Sequence, residues 1–257
     1  MPSSPVNPAV ESISAFFPCL DDEATIASMV TTACKTIEEV GADGEVIVVN
    51  DGSTDRSQEV LEELSDSQPW LRIVVHEHSR GYGGALLSGF AGATKQWVFY
   101  TDGDGQFDPT ELALLVDQAS ADVDVVQGVR RRRAENPVRR LGGRAYHRLV
   151  VVLFGLKLKG FDSDFRLIRR SLLERVELSE RSGLIGIEMV RKFQDAGARF
   201  VRVPIHHYPR LHGRSHRVRV KSGPRAAWDL FRLWVRLIAL REGRRSLRSE
   251  DVAGRSG

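Results

Sequence analysis

Long uncharged apolar runs are missing from this 257-residue chain. No stretch of about twenty such residues occurs, so no helix that crosses a membrane is expected. The N-terminus has no basic segment leading into an apolar run, and the expectation is a chain without a secretion signal. Cysteine is scarce: Cys19 and Cys34 alone cannot build a disulfide framework and are expected as two buried free thiols. The seven histidines lack metal-ligand spacing, and His76, His78, His206 and His207 are expected at the surface. Lysine is rare as well, 6 against 31 arginines. The rarest feature is positional. Residues 1–128 hold only 5 basic side chains against 22 acidic ones, whereas residues 129–257 hold 32 against 12. The formal charge of +3 therefore hides a net of −17 in the first half and +20 in the second, which should face something anionic.

What is present is enough for a core, with 42% hydrophobic residues. The first half alternates β-rich apolar runs with helical stretches, the pattern of a mainly parallel sheet flanked by helices. Strands are predicted at Ser12–Pro18, Glu45–Asn50, Leu71–His76, Gln96–Thr101 and Val123–Gly128. Helices are predicted at Glu23–Val40, Asp55–Ser65 (capped by Ser53–Asp55) and Gly83–Thr94, with another opened by Pro109. Past Arg130 the pattern predicts a helix at Val138–Leu158, an extended Phe161–Ile168, a helix at Glu188–Ala196 and a strand at Phe200–Ile205. Ala226–Leu240 is an amphipathic helix, with Arg225, Asp229, Arg232 and Arg236 opposite a wide apolar face. The domain reading is a catalytic unit over 1–216, this helix within 217–243, and a disordered charged tail over 244–257.

Two aspartate motifs follow strands, where open α/β sheets bind their ligands. In VNDGSTD, Asp51 can accept hydrogen bonds from a base or ribose and Gly52 lets backbone approach; a plain strand-to-helix turn is the other reading. In TDGDGQFDP, Asp102 and Asp104 stand two apart on an extended segment, so both carboxylates can meet one hard cation. Such a cation would bridge a diphosphate, with Gln106 and Asp108 as further ligands or water-holders. The twelve-residue calcium loop ending in glutamate is absent.

The ordered set Phe17–Ile26, Val48–Asp55, Ser79–Gly89, Tyr100–Pro109, Asp162–Arg170 and Pro209–Ser215 resembles family 2 glycosyltransferases with a glycosyltransferase-A fold. Within them it is most similar to polyprenyl-phosphate sugar transferases of the dolichyl-phosphate mannose synthase type. The resemblance implies a nucleotide-sugar donor, a Mg2+ or Mn2+ cofactor and an inverting transfer. It places Pro18, Glu23, Asp51, Gly52, Arg80, Gly81 and Asp102 around the nucleotide, and Asp102, Asp104 and Gln106 at the metal. Asp104, Arg166 and Arg210 take the catalytic positions, with Ser215 near the acceptor phosphate. The sequence departs from the family pattern in Asp21, where asparagine is usual, and in Gly103 between the two aspartates.

A hydroxyl acceptor needs a general base. Relatives that use one carry a paired acid in the later helix region, where this chain offers only Glu188, expected as a surface or ion-pairing residue. That favours an acceptor already anionic, a polyprenyl phosphate, for which Arg130 and Arg131 in the RRRR run supply forked donors. The arginine-flanked apolar helices suit a membrane surface, hence a cytoplasmic enzyme peripheral at the inner face. A membrane-protein partner or a homodimer stays open. The rival readings are a soluble hydroxyl acceptor on the same fold and a non-enzymatic anion binder; no nucleic-acid recognition signature occurs.

Overall fold

The computed structural model describes residues 7–130, 137–157, 163–210 and 223–242. Seven strands form one sheet: β1 (Ser12–Cys19), β2 (Asp43–Asn50), β3 (Leu71–Val75), β4 (Trp97–Thr101), β5 (Val125–Arg130), β6 (Phe165–Arg169) and β7 (Phe200–Ile205). Their order across the sheet is β3-β2-β1-β4-β6-β5-β7. Only β6 runs against its neighbours, pairing antiparallel with β4 and with β5. The carboxyl ends of the other six strands therefore lie along one edge, which becomes the functional edge.

The helices are α1 (Ile26–Glu39), α2 (Ser57–Ser65), α3 (Tyr82–Gly92), α4 (Leu112–Val116), α5 (Pro137–Phe154), α6 (Arg170–Arg175), α7 (Ile185–Asp195) and α8 (Gly223–Trp234). A 3-10 turn (Pro109–Glu111) leads into α4, and a π-helical turn (Val235–Ala239) continues α8. The central strands are buried on both faces, and successive side chains serve opposite cores. Val46 and Val48 of β2 pack in a core with Ile26, Met29 and Leu112, while Ile47 and Val49 pack with Leu86, Ile185 and Met189. A third core, formed by Val150, Phe154, Ile187, Val190, Leu233 and Leu237, joins α5, α7 and the α8 segment.

Most predicted elements occur with boundaries shifted by a few residues. The short α6 was not anticipated, and α8 changes to π-helical hydrogen bonding, with Leu240 N–H donating to the Val235 carbonyl at 2.9 Å. Asp55, from the group expected at the start of α2, accepts from the Ser57 N–H at 2.9 Å, and the helix begins two residues later than predicted. Both cysteines are free and buried, as expected. The 244–257 tail lies outside the described residues.

Candidate active site

At the strand-end edge opens a cleft of about 280 Å3, walled by Pro18 at the end of β1, Asp22 after it, Asp51 after β2, Gly81 and Tyr82 at α3, and Asp102 and Asp104 after β4. Ser182 and Gly183 close one side, and Arg210, beyond β7, closes another.

The loops after β1 and β2 are laced together by hydrogen bonds. Asp21 accepts from the Thr54 N–H at 2.7 Å, and its own N–H donates to Ser53 Oγ at 3.1 Å. Asp22 N–H donates to Ser57 Oγ, and Glu23 accepts from the Arg56 N–H at 2.9 Å. Glu23 thus faces α2, outside the cleft, and the acid that reaches the cavity is its neighbour Asp22. Burial pushes the Asp22 carboxyl up to about 6, with Asp104 and Asp55 adding repulsion while the Leu20 N–H and Arg210 pull the other way. Cys19 also borders the cleft, and burial with Asp22 nearby pushes its thiol up to about 12, leaving it unreactive as a thiolate.

Asp51 is saturated. His76 Nδ1 (2.6 Å) and the Arg80 N–H (2.8 Å) meet Oδ1, while the Ser79 hydroxyl (2.7 Å) and the Gly81 N–H (3.1 Å) meet Oδ2. A carboxylate offers about four lone-pair positions, so in this state the loop fills them all. Asp51 therefore ties residues 79–81 to the end of β2. His76 is not a surface residue as the sequence reading held: it is 2% exposed and bridges Asp51 to Ser88 Oγ at 2.9 Å. Gly52 stands where a Cβ would come within 2.9 Å of the Ser79 nitrogen, so its bareness admits the same loop. The Arg80 side chain is exposed and does not line the cleft.

Asp102 and Asp104 are buried and face the cavity together. Tyr82 donates to Asp102 Oδ1 at 2.9 Å; Gln106 N–H donates to Asp104 Oδ1 at 3.0 Å, and Arg210 pairs with Asp104 Oδ2 at 2.6 Å. Gly103 between them is held tightly. Thr25 donates to its carbonyl at 2.7 Å, and a Cβ here would meet the Pro18 carbonyl oxygen at 3.1 Å. The departure from the family pattern thus comes with a close approach of β1. Gln106 gives its amide to the Tyr208 carbonyl, and Asp108 caps the 3-10 turn through the Thr110 N–H at 2.9 Å, so neither side chain lines the cleft.

Arg166 is 1% exposed and lies in the sheet, donating to the Tyr100 hydroxyl with its guanidinium 5.8 Å from that ring centroid. It supports the wall from behind and does not line the cavity. Arg130 is exposed on the same edge, over the Phe107 ring. Arg131 and Ser215 lie outside the described residues. Glu188 is ion-paired but not on the surface: fully buried, it pairs with Lys192 at 3.0 Å and accepts from the Ser179 and Glu180 N–H groups. His206 is partnered too, with Glu111 at 2.7 Å.

The sequence profile of Glycosyl transferase family 2 matches residues 14–177, the span that carries both aspartate motifs. The chain belongs to that family. Among curated proteins this glycosyltransferase is 28% identical over 210 residues to undecaprenyl-phosphate 4-deoxy-4-formamido-L-arabinose transferase of Enterobacter sp. (strain 638), covering 80% of the chain. The same enzyme from Edwardsiella ictaluri (strain 93-146) is 28% identical over 209 residues, again covering 80% of the chain. The chain spans 63% of the length of these relatives. In fold it is similar to glucosyl-3-phosphoglycerate synthase from Mycobacterium tuberculosis, with a TM-score of 0.60 at 22% identity over 79% of this chain and 73% of that one. That structure holds Mn2+, UDP-glucose and phosphoglyceric acid. A UDP complex of the same synthase gives a TM-score of 0.62 at 20% identity, over 88% and 79% of the two chains. The glycosyltransferase-A fold of this glycosyltransferase is thus shared with enzymes of distant sequence.

Proposed function

We propose that this glycosyltransferase moves a sugar from a nucleotide-sugar to a polyprenyl phosphate, inverting the anomeric carbon. The observation that carries the reading is the pair Asp102 and Asp104, buried side by side in a strand-end cleft with Arg210 against the second carboxylate. Two oxygen-donor acids fit Mg2+ or Mn2+ in kind, because such ions take few protein carboxylates and complete their shell with substrate phosphates and water. Among the described residues no group of three His, Cys, Asp or Glu side chains could hold an ion unaided, which suits a metal that arrives with the diphosphate. When bound, the cation offsets the charge of the departing nucleoside diphosphate.

This chain's residues do the rest. Asp51 fixes the 79–81 loop that walls the nucleoside end, and Tyr82 orients Asp102. Arg210 stands where it can exchange Asp104 for a phosphate oxygen, with a guanidinium suited to either. An acceptor phosphate oxygen attacks the anomeric carbon as the bond to the diphosphate breaks; being anionic at pH 7, it needs no base. Glu188, deep in its ion pair, is in no position to serve as one. The curated relatives, named for undecaprenyl phosphate, support the same acceptor class.

The peripheral placement rests on α5 and α8. Leu149, Val152, Trp228 and Phe231 are exposed beside Arg148 and Arg232, a composition suited to an anionic bilayer surface. No helix among the described residues is long and apolar enough to cross a membrane.

One observation favours a second reading. Asp22, with its carboxyl near 6 inside the cleft, is poised as a general base for a hydroxyl acceptor. Metal-dependent transfer from labelled nucleotide-sugars, with and without added polyprenyl phosphate, separates the two. Label in the organic phase supports the phosphate acceptor, and donor hydrolysis without lipid product favours the hydroxyl.

A further inference from the structure

A second cavity, about 570 Å3, adjoins the cleft: Gly81 and Ser182 border both. Its remaining wall is basic, with Arg181 on the loop before α7 and Arg232 and Arg236 from the α8 segment. That loop is pressed against the start of α3. A Cβ at Gly83 would fall 2.3 Å from the Glu180 carbonyl oxygen, and Gly84 N–H donates to the Arg181 carbonyl at 3.3 Å. The groove thus lies against the start of α3, with Gly81 bordering both it and the cleft.

The three arginines differ in their commitments. Arg236, set in the π-helical turn, is fixed by Glu242 at 2.9 Å, by Glu180 at 3.4 Å and by the Ser179 hydroxyl. Arg181 and Arg232 are exposed, and neither has a carboxylate partner among the described residues. Glu180 is the one acid in the wall, and its carboxylate already accepts from the Ser182 N–H at 3.0 Å and faces Arg236. Two unpaired guanidinium groups therefore front a groove that meets the cleft at one end. Beside Arg232, α8 presents Trp228 and Phe231, both more than half exposed, with ring centroids 5.7 Å apart.

We infer that this groove binds the head of a lipid-linked phosphomonoester, with Arg181 and Arg232 holding the phosphate and the aromatic pair of α8 receiving the start of the chain. The inference rests on the polyprenyl phosphate reading and names its acceptor subsite. A phosphomonoester carries close to two negative charges at neutral pH, which suits paired arginine forks. An isoprenoid tail leaving the groove would run onto these exposed aromatics and cover them, which a water-soluble phosphate does not do.

The test is steady-state transfer to a short-chain polyprenyl phosphate in neutral detergent micelles, using a nucleotide-sugar on which the wild-type chain is active. The Arg181→Gln/Arg232→Gln double variant should raise the KM for the lipid phosphate by about tenfold or more, the scale of a lost charge-assisted hydrogen bond. Its donor KM and its slow donor hydrolysis should stay at wild-type values, with an unchanged circular dichroism spectrum. Arg225→Gln, on the same helix but outside the groove, should leave the lipid KM alone. An unchanged lipid KM in the double variant, or an equal rise with Arg225→Gln, overturns the subsite while leaving the polyprenyl phosphate reading intact. Glycerol phosphate accepted as well as the lipid overturns the role of the tail. A wild-type enzyme that hydrolyses donor but labels no lipid overturns the reading and the subsite with it.

Discussion

The acidic region before residue 130 and the basic region after 137 hold their charges in opposite ways. In the first, short carboxylates are caught by backbone amides a few residues away: Asp104 by Gln106, Asp108 by Thr110, Asp55 by Ser57. Asp51 takes two such amides from the loop across the cleft. In the second, long arginines reach distant partners: Arg191 meets the Phe154 carbonyl, Arg169 meets the carbonyls of Ser120 and Val123, and Arg236 reaches the loop before α7. A carboxylate fixed by its own loop has one place to be, which suits a metal and a diphosphate. A guanidinium on a flexible stem can trade one anion for another, which suits a ligand that must enter and leave.

The contrast can be broken most sharply at the acid that violates it. Glu188 is a carboxylate of the basic region with no free path to the cleft, so Glu188→Ala should cost about 3–5 kcal/mol of stability by stranding Lys192, read by urea unfolding. A stability close to wild type would place Glu188 outside the structural core. Asp104→Asn should cut metal-dependent turnover roughly 10²–10³-fold with an unchanged fold, the scale seen when one electrostatic stabiliser is removed. Near wild-type turnover that still requires metal would remove the pair from the mechanism.

Asp22 gives a pH test on the ligand-free protein. Its carboxyl sits near 6 when folded against an ordinary value of 3.8, so the folded state holds this proton more tightly than the unfolded chain. Its contribution is present below about pH 4 and is lost as pH rises through 6, about 3 kcal/mol in all. Asp22→Asn should flatten that slope in unfolding curves taken across the window. The smallest effect is expected from Tyr82→Phe, which removes one hydrogen bond to Asp102 and should slow turnover by about tenfold at most, with the donor KM nearly unchanged.

What could be read in advance follows the same division. The parallel sheet, its strand ends and the Asp102–Asp104 pair were visible because alternation and turn chemistry are local signals. Asp22 was hidden in a run of three acids, where only the twist of the loop decides which one turns inward; Asp21 sits there at φ 54°. His76 looked like one polar residue among several, and its burial depends on Asp51 and Ser88, 25 and 12 residues away. Arg166 carried a family position, yet the strand it belongs to turns it onto Tyr100, a partner 66 residues away. The short α6 gives too few residues for a helical period to register, and the groove at Arg181 depends on long-range packing that no spacing encodes.

The single reversed strand governs the order in which the molecule can be assembled. β4 and β5 come early in the chain, but the strand that joins them, β6, comes only at residues 165–169. During synthesis, the nucleotide-side sheet β3-β2-β1-β4 must wait with a bare edge on β4 until about 65 further residues have emerged. A chain cut before β6 would carry both aspartate motifs and still expose that edge, a template for self-association. Fragments for binding studies should therefore end beyond Arg169.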